Sequence, residues 1–292
     1  MASDYEIVPV DSAYIYVGGI IGSGGSGLTI INDCNVTGNF KSQGYTGGLI
    51  GDGDGVISNS SFIGDITSYN SVGGLIGSGS GTIINSYAIV NMTSDPTIAP
   101  ALGSSSVPGF WGGIGGQITG NIINSYAIVN MQPFHVYYPY DYPPETLIMY
   151  NNIGYMGGLI GWSDGTNIIN SYSKGDIILN DPEIEKGRYI GGLVGHHQNM
   201  YNPIYNRIID NYSMVNITIN GNAEGVGGLL GRITGGYDVN NNYSTGNLNI
   251  SGTKTSVGGL IGYKFPNAYV NNSYWNTQTS GYTSSAGGLG RT

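Results

Sequence analysis

The chain has 292 residues, 52 of them glycine, with only 9% charged residues and a formal net charge of -9. Collagen is excluded because glycine has no three-residue period, and the 39% of hydrophobic residues are too regularly placed for a disordered chain. The nine lysines and arginines are scattered singly, which argues against a nucleic-acid partner, since phosphate binding needs clustered cations.

The N-terminal residues and the number of cysteines say little about the cellular compartment of the protein. No apolar run is long enough to span a membrane, and the first residues lack the basic and apolar regions of a signal peptide. Export would therefore need a segment that precedes residue 1. Cys34 is the single cysteine, so an intramolecular disulfide is excluded.

Two short signatures alternate along the chain. Residues 11–17 alternate like a strand and lead into the first copy of the signature Gly-Gly-Leu-Ile-Gly. Its copies begin at Gly18, Gly47, Gly73, Gly112, Gly157, Gly191, Gly227 and Gly258. The second signature, Ile-x-Asn-Ser-Tyr or a close variant, carries Asn85, Asn124, Asn170, Asn241 and Asn272. This alternation predicts stacked repeats, each burying its apolar face against its neighbours.

The shortest repeat, 26 residues from Gly47 to Gly73, defines the predicted coil. It divides into three strands at 46–50, 56–62 and 65–68, separated by glycine-rich corners. Helices are excluded because no 3.6-residue period is sustained. The sequence predicts an all-β fold, a parallel β-solenoid of about eight coils with three short strands in each coil. Residues 1–292 form a single domain in this prediction.

Equivalent residues of successive coils should lie over one another. One apolar column is predicted from Leu49, Leu75, Ile114, Leu159, Leu193, Leu229 and Leu260, and a second from Ile83, Ile122, Ile168 and Ile208. An amide ladder is predicted from Asn85, Asn124, Asn170, Asp210, Asn241 and Asn272. A ring ladder is predicted from Tyr87, Tyr126, Tyr172, Tyr212, Tyr243 and Tyr274. Both ladders are interpreted as structural, since a feature of every coil marks no single site.

Segments that depart from the minimal coil are candidates for function. Residues 1–17 are a lead-in and 275–292 a tail, while 94–110, 132–155 and 181–190 are predicted loop insertions on one edge. The first two insertions should form one aromatic lobe that packs within the protein, against another subunit or onto a glycan. Its binding candidates are Phe110, Trp111, Phe134, Tyr137, Tyr138, Tyr140 and Tyr142.

Few residues suggest a metal-binding site or a catalytic site. Asp52 and Asp54 offer two carboxylates to calcium, but an EF-hand would need glutamate where Ile63 stands. His196 and His197 are adjacent, so in a strand they point to opposite faces and cannot readily bind one zinc ion. We predict no metal site, no cofactor and no catalytic residues. A carbohydrate-active β-helix enzyme stays a lesser alternative, with acidic candidates only in 181–188.

Several asparagines stand in Asn-x-Ser/Thr acceptor sequences. The glycosylation candidates outside the predicted amide ladder are Asn91, Asn216 and Asn249.

The two alternating signatures together resemble the GLUG motif repeats of bacterial and archaeal surface proteins. The fullest matches are residues 73–92, 157–177 and 227–248, and the run 272–288 is similar to the segment that follows a last GLUG repeat. The resemblance implies a large secreted, adhesin-like protein or a repeat region beside a surface peptidase domain. The motif carries no catalytic residues.

Neither end of the predicted rod carries an obvious cap, and open solenoid ends present unpaired strand edges. We therefore expect an extracellular or cell-surface structural and adhesive protein that associates end to end as a homo-oligomer. The alternative is a carbohydrate- or receptor-binding module that uses the aromatic lobe. Nucleic acid and a membrane span are not expected.

Overall fold

The computed structural model describes residues 2–6, 15–25, 28–68, 70–95, 109–133, 153–180, 189–199 and 206–292. Strands in the first four coils are β1 (Ala2–Glu6), β2 (Tyr16–Gly18), β3 (Ile21–Ser23), β4 (Thr29–Asn32), β5 (Asn35–Ser42), β6 (Tyr45–Gly47), β7 (Ile50–Asp52), β8 (Gly55–Ser58), β9 (Ser61–Ser68), β10 (Val72–Gly73), β11 (Ile76–Ile84), β12 (Tyr87–Thr93), β13 (Gly109–Gly112), β14 (Gly115–Ile123) and β15 (Tyr126–Gln132).

The remaining elements belong to the second half of the rod. They are β16 (Ile153–Gly157), β17 (Ile160–Asp164), β18 (Asn167–Ile169), β19 (Tyr172–Leu179), β20 (Tyr189–Gly191), β21 (Val194–Gln198), β22 (Asn206–Ile209), β23 (Tyr212–Ile219), β24 (Ala223–Gly227), β25 (Leu230–Thr234), β26 (Tyr237–Asn240), β27 (Tyr243–Ser244), β28 (Leu248–Ile250), β29 (Lys254–Gly258), β30 (Ile261–Lys264), β31 (Tyr269–Asn271), β32 (Tyr274–Asn276), α1 (Thr277–Ser280) and β33 (Leu289–Arg291).

These strands form three parallel sheets, one on each side of the rod. Sheet B runs β2-β6-β10-β13-β16-β20-β24-β29, so each of the eight coils seen in the described residues contributes one strand. Sheet C contains the strands that follow the Gly-Gly corner, from β3 to β31. Sheet A contains the strands that follow the Asn-Ser corner, from β5 to β32, with β1 and β33 at its two edges. The predicted parallel β-solenoid is confirmed.

The strand boundaries inside a coil differ from the prediction. The corners at Gly48 and Asn59 fall inside two of the predicted strands, and the predicted break at Gly64 is the middle of one strand. Gly64 pairs with Gly38 in the neighbouring strand, and glycine is needed there because a Cβ would lie 1.8 Å from the carbonyl oxygen of Gly38. Helix is not wholly absent either, since α1 forms one turn near the C-terminus.

The Gly-Gly corner holds successive coils together at their closest approach. At each corner before the last one, two consecutive N–H groups donate to one carbonyl oxygen of the next coil; Leu75 and Ile76, for example, donate to Ile114 at 2.9 and 3.0 Å. The glycines are needed because a Cβ on Gly158 would lie 2.2 Å from the carbonyl oxygen of Gly192. The predicted column of Leu75 and its equivalents is fully buried, as is the isoleucine column through Ile83.

The second corner depends on left-handed backbone at asparagine. Positive φ, which these residues tolerate better than others do, recurs at Asp33 (55°), Asn59 (48°), Asn85 (50°), Asn124 (50°), Asn170 (49°), Asp210 (59°), Asn241 (62°) and Asn272 (43°). The amide ladder is confirmed over most of its length. Asn124 donates to Asn85 at 3.2 Å and Asn170 donates to Asn124 at 2.7 Å. Asn272 departs from the prediction, because its amide donates instead to Asn240 at 3.3 Å.

A buried hydroxyl ladder runs beside this corner and was not predicted. From the second coil onward, the residue after the left-handed corner points into the core, and its side-chain oxygen accepts a backbone N–H from the preceding coil. Ser125, for example, accepts from the Ser86 nitrogen at 3.2 Å and donates to the Ile123 carbonyl at 2.9 Å. The hydroxyls of the ladder belong to Ser60, Ser86, Ser125, Ser171 and Ser273. Asn211 and Asn242 take the same position in two coils and accept through an amide oxygen instead. The ladder satisfies corner N–H groups that would each cost about 1–3 kcal/mol if buried without a partner.

The C-terminal tail covers the end of the rod, which corrects the expectation that this end has no cap. Strand β33 adds to sheet A beside β32, and the Ser285 hydroxyl accepts from the nitrogens of Leu260 and Ile261 at 3.3 and 2.8 Å. At all the earlier Gly-Gly corners, the two equivalent N–H groups donate to a carbonyl oxygen of the next coil. The serine side chain therefore ends a ladder that is otherwise made of backbone.

We expect Ser285→Ala to destabilise the last coil by about 1–3 kcal/mol, because two buried N–H groups lose their acceptor. Amide exchange measured by mass spectrometry should speed up in residues 258–262. Ser284→Ala is the matched control, since the neighbouring side chain is exposed and its loss should cost less than about 0.5 kcal/mol. Equal exchange in the two variants would mean that Ser285 does not close the rod.

Candidate functional site

The strongest candidate site is a row of large side chains on the lateral surface beside the Gly-Gly corner. Two positions of the repeat build it, one two residues before the first Gly and one immediately after the closing Gly. Sheet B contributes Phe110, Tyr155 and Tyr189, which lie in register. Sheet C contributes Trp162, His196, Arg232 and Tyr263, also in register, with Phe265 at the end. We call this set the aromatic row.

Ring contacts make the row continuous from the fourth coil to the sixth. Phe110 stacks on Tyr155 at 5.3 Å and on Trp162 at 5.8 Å between ring centroids. Tyr155 stacks on Tyr189 at 5.3 Å. The rings of both tyrosines meet the His196 ring edge-on, at 4.9 and 5.4 Å. Burial is the main cause of the raised pKa of each tyrosine, so both hydroxyls stay neutral at physiological pH.

Arg232 lies among three rings, towards the C-terminal end of the row. Its guanidinium carbon is 4.7 Å from the Tyr189 ring centroid, 5.6 Å from that of Tyr263 and 5.8 Å from that of Phe265. Nη1 donates to the Tyr189 hydroxyl at 2.8 Å, while the buried Nε has no hydrogen-bond partner among the described residues. The row therefore combines apolar ring surface with one fixed positive charge.

The adjacent histidines point to opposite faces, as the strand geometry predicts. His196 lies in the aromatic row, where burial and then the nearby Arg232 charge lower its pKa to about 3. His197 points into the core, where its Nδ1 bonds the Ser163 hydroxyl and its ring lies 4.2 Å from that of Tyr237. Burial lowers the pKa of His197 to about 3 as well. The Ser163 and His197 side chains are both closed off from solvent, so this pair cannot act on a substrate in the folded rod.

The outer face of sheet A carries the predicted tyrosine ladder. Rings of Tyr87, Tyr126, Tyr172 and Tyr212 stack at centroid distances of 4.9, 4.7 and 4.7 Å. The backbone register continues to Tyr243 and Tyr274. Because these four rings cover one another, they present edges and hydroxyls to a ligand rather than the faces on which a sugar stacks.

A second polar row on the same face was not predicted. It consists of Asn39, Asp65, Asn91, Asn130, Asp176 and Asn216 in backbone register. Two of the glycosylation candidates belong to it: Asn91 donates to Asp65 at 2.7 Å and Asn216 donates to Asp176 at 3.0 Å. The third, Asn249, is exposed further along the sheet. All three side chains are exposed.

The predicted aromatic lobe is only partly described. Phe110 is half-buried in the aromatic row, whereas Trp111 is fully buried and its Nε1 donates to the Asn70 carbonyl at 3.0 Å. Trp111 therefore packs within the protein and offers no surface to a ligand. The candidates Phe134, Tyr137, Tyr138, Tyr140 and Tyr142 lie outside the described residues, as do 96–108, 134–152 and 181–188 of the predicted insertions. The flanking residues 109–110, 153–155 and 189–190 belong to strands of sheet B instead.

Other chemistry is limited in the described ranges. Asp54 uses a carboxylate oxygen to accept from the Ser80 nitrogen and hydroxyl, at 2.9 and 2.6 Å. Within those ranges there is no cluster of three or more His, Cys, Asp or Glu side chains that could hold a metal ion. Among the described residues no helix is long and apolar enough to cross a membrane, and α1 has only four residues.

The stacked parallel coils and alternating corner signatures define a β-solenoid repeat protein. Residues 152–178 match the family model of the GLUG motif, which confirms the resemblance found at 157–177. That motif occurs in extracellular and surface proteins. No curated protein shows a significant match to the chain.

The two buried histidines should make the rod sensitive to mild acid. Both have a folded pKa near 3 against an ordinary value of 6.5, so between these values only the unfolded chain gains protons. Their contribution to stability is complete above pH 6.5 and is lost as the pH falls towards 3. We expect each histidine to account for about 2 kcal/mol of the loss between pH 7 and pH 5.

Urea unfolding followed by circular dichroism at these two pH values measures the effect. The double variant His196→Gln, His197→Gln should show a clearly smaller pH dependence than the parent, whatever its absolute stability. An unchanged difference between pH 7 and pH 5 would show that other groups cause the acid sensitivity.

Proposed function

We propose that the chain is an extracellular structural and adhesive solenoid, a rod that presents its lateral faces to a surface or matrix. The observation that carries the proposal is the aromatic row, which runs over several coils of a rigid, regularly hydrogen-bonded body. Partly exposed rings in a continuous line are typical of interfaces rather than of a purely structural surface. The GLUG match and the scarcity of charge support an extracellular setting.

Self-association is a secondary part of this proposal. The tail closes the C-terminal end of the rod through Ser285 and β33. At the other end, β2, β3 and β4 are the outermost described strands of sheets B and C. Association of copies through exposed strand edges stays part of the proposal, because an unpaired strand edge can pair with another chain.

A carbohydrate-binding module is the second candidate function. Tyr263 and Phe265 are 40% and 37% exposed beside the Arg232 guanidinium, and such rings can stack on the apolar face of a sugar. A catalytic role is not part of either proposal.

The adhesive role can be tested on cells of the source organism. An antibody against the chain should label intact cells, and beads coated with the folded chain should be retained on them about tenfold better than beads coated with heat-unfolded chain. Sedimentation velocity should show oligomers beside the monomer. Labelling that appears only after permeabilisation, or equal retention of both kinds of bead, would contradict the proposal.

A further inference from the structure

We infer that Arg232 and the rings around it bind the carboxylate of an acidic saccharide, such as a uronic acid unit, on the lateral face of the last three coils. This inference rests on the adhesive role proposed above and gives it a ligand class.

Arg232 has unused hydrogen-bonding capacity. A guanidinium has five N–H donors, and among the described residues Arg232 makes a single hydrogen bond, to Tyr189. No described carboxylate forms an ion pair with it. The partnerless Nε is buried, so the donors left for a ligand are those of the two terminal nitrogens, Nη1 and Nη2. An arginine held by rings on several sides cannot easily turn away to satisfy itself elsewhere, so its remaining donors stay directed at one place.

Carboxylate is the acceptor that best fits these donors. The planar guanidinium fork can donate two parallel hydrogen bonds to the two oxygens of a carboxylate. The surrounding rings exclude part of the water, which strengthens the attraction between opposite charges. His196 stays neutral in this environment because of its burial, so Arg232 supplies the positive charge. The Glu224 carboxylate raises the pKa of Tyr189, but by less than the Arg232 guanidinium lowers it. The positive charge therefore has the larger effect at this hydroxyl.

The rings favour a sugar over a simple ion. Tyr263 and Phe265 meet edge-to-face at 5.6 Å, and both remain substantially exposed beside the guanidinium. A uronic acid unit has an apolar C–H face and a carboxylate on one ring, which matches ring surface next to a cation. The aromatic row continues through Tyr189, Tyr155 and Trp162, so further units of the same polysaccharide would find similar surface on neighbouring coils.

The test compares acidic and neutral forms of one oligosaccharide on the full chain. Hexagalacturonic acid and its fully methyl-esterified form have the same sugar backbone, but each charged carboxylate of the acid is a neutral methyl ester in the second compound. Isothermal titration calorimetry should show the acid binding at least about tenfold more tightly than the ester, with affinity falling as salt rises. Arg232→Gln should weaken acid binding by about tenfold or more. Arg207→Gln, at an exposed arginine on the same sheet, should leave it within about twofold of the parent.

A second variant guards against a folding defect in Arg232→Gln. Tyr263→Ala removes one exposed wall while keeping the arginine, and should weaken both the acid and the ester by a similar factor. The inference is overturned if neither oligomer binds, if acid and ester bind equally, or if Arg232→Gln binds the acid like the parent. Tighter binding of a glutamate hexapeptide than of hexagalacturonic acid would also overturn it, in favour of a peptide ligand. Cell adhesion that persists in Arg232→Gln would leave the adhesive role intact and reject only this ligand class.

Discussion

In-register parallel pairing between successive coils is the constraint on which the whole structure depends. Each residue of the repeat lies over its counterpart, so every position faces the same steric and polar demand in every coil. Positions at the closest backbone approach must be glycine, as at Gly158, and the left-handed position of the second corner is asparagine or aspartate. Most inward positions are apolar, and the inward position after the second corner carries an oxygen that accepts a backbone N–H from the second coil onward. The regularity of the sequence follows from this vertical repetition.

Much of the fold could be predicted because repetition shows which type of residue each position of the coil requires. The fixed order of the two signatures predicted the solenoid, and like residues at like positions predicted the apolar columns and the amide and tyrosine ladders. The buried hydroxyl ladder could not be inferred from alternation alone. A left-handed residue such as Asn124 turns the chain, so Ser125 points inward although strict alternation along a strand leaves its direction open.

The candidate site was harder to predict because no single coil contains it. Each coil contributes one or two side chains, and their proximity appears only when positions flanking the corner are compared between coils. Tyr155 and Trp162 flank one corner, while Tyr189 and His196 flank the next. Phe110 and Trp111 show a further difficulty. They are neighbours in one strand, so one lies at the surface and the other in the core, and composition does not say which.

The alignment of equivalent residues in successive coils is tested most directly by comparing two internal deletions. Removing residues 47–72 takes out one full coil and joins Thr46 to the equivalent of its old neighbour, since Gly47 and Gly73 are register partners. Removing residues 47–59 takes out half a coil and places every following residue over a different position. The full-coil deletion should give a folded rod that unfolds cooperatively and is shorter by about 4.8 Å in solution scattering. The half-coil deletion should lose its β-sheet circular dichroism or aggregate, whereas equal folding of the two variants would contradict the account.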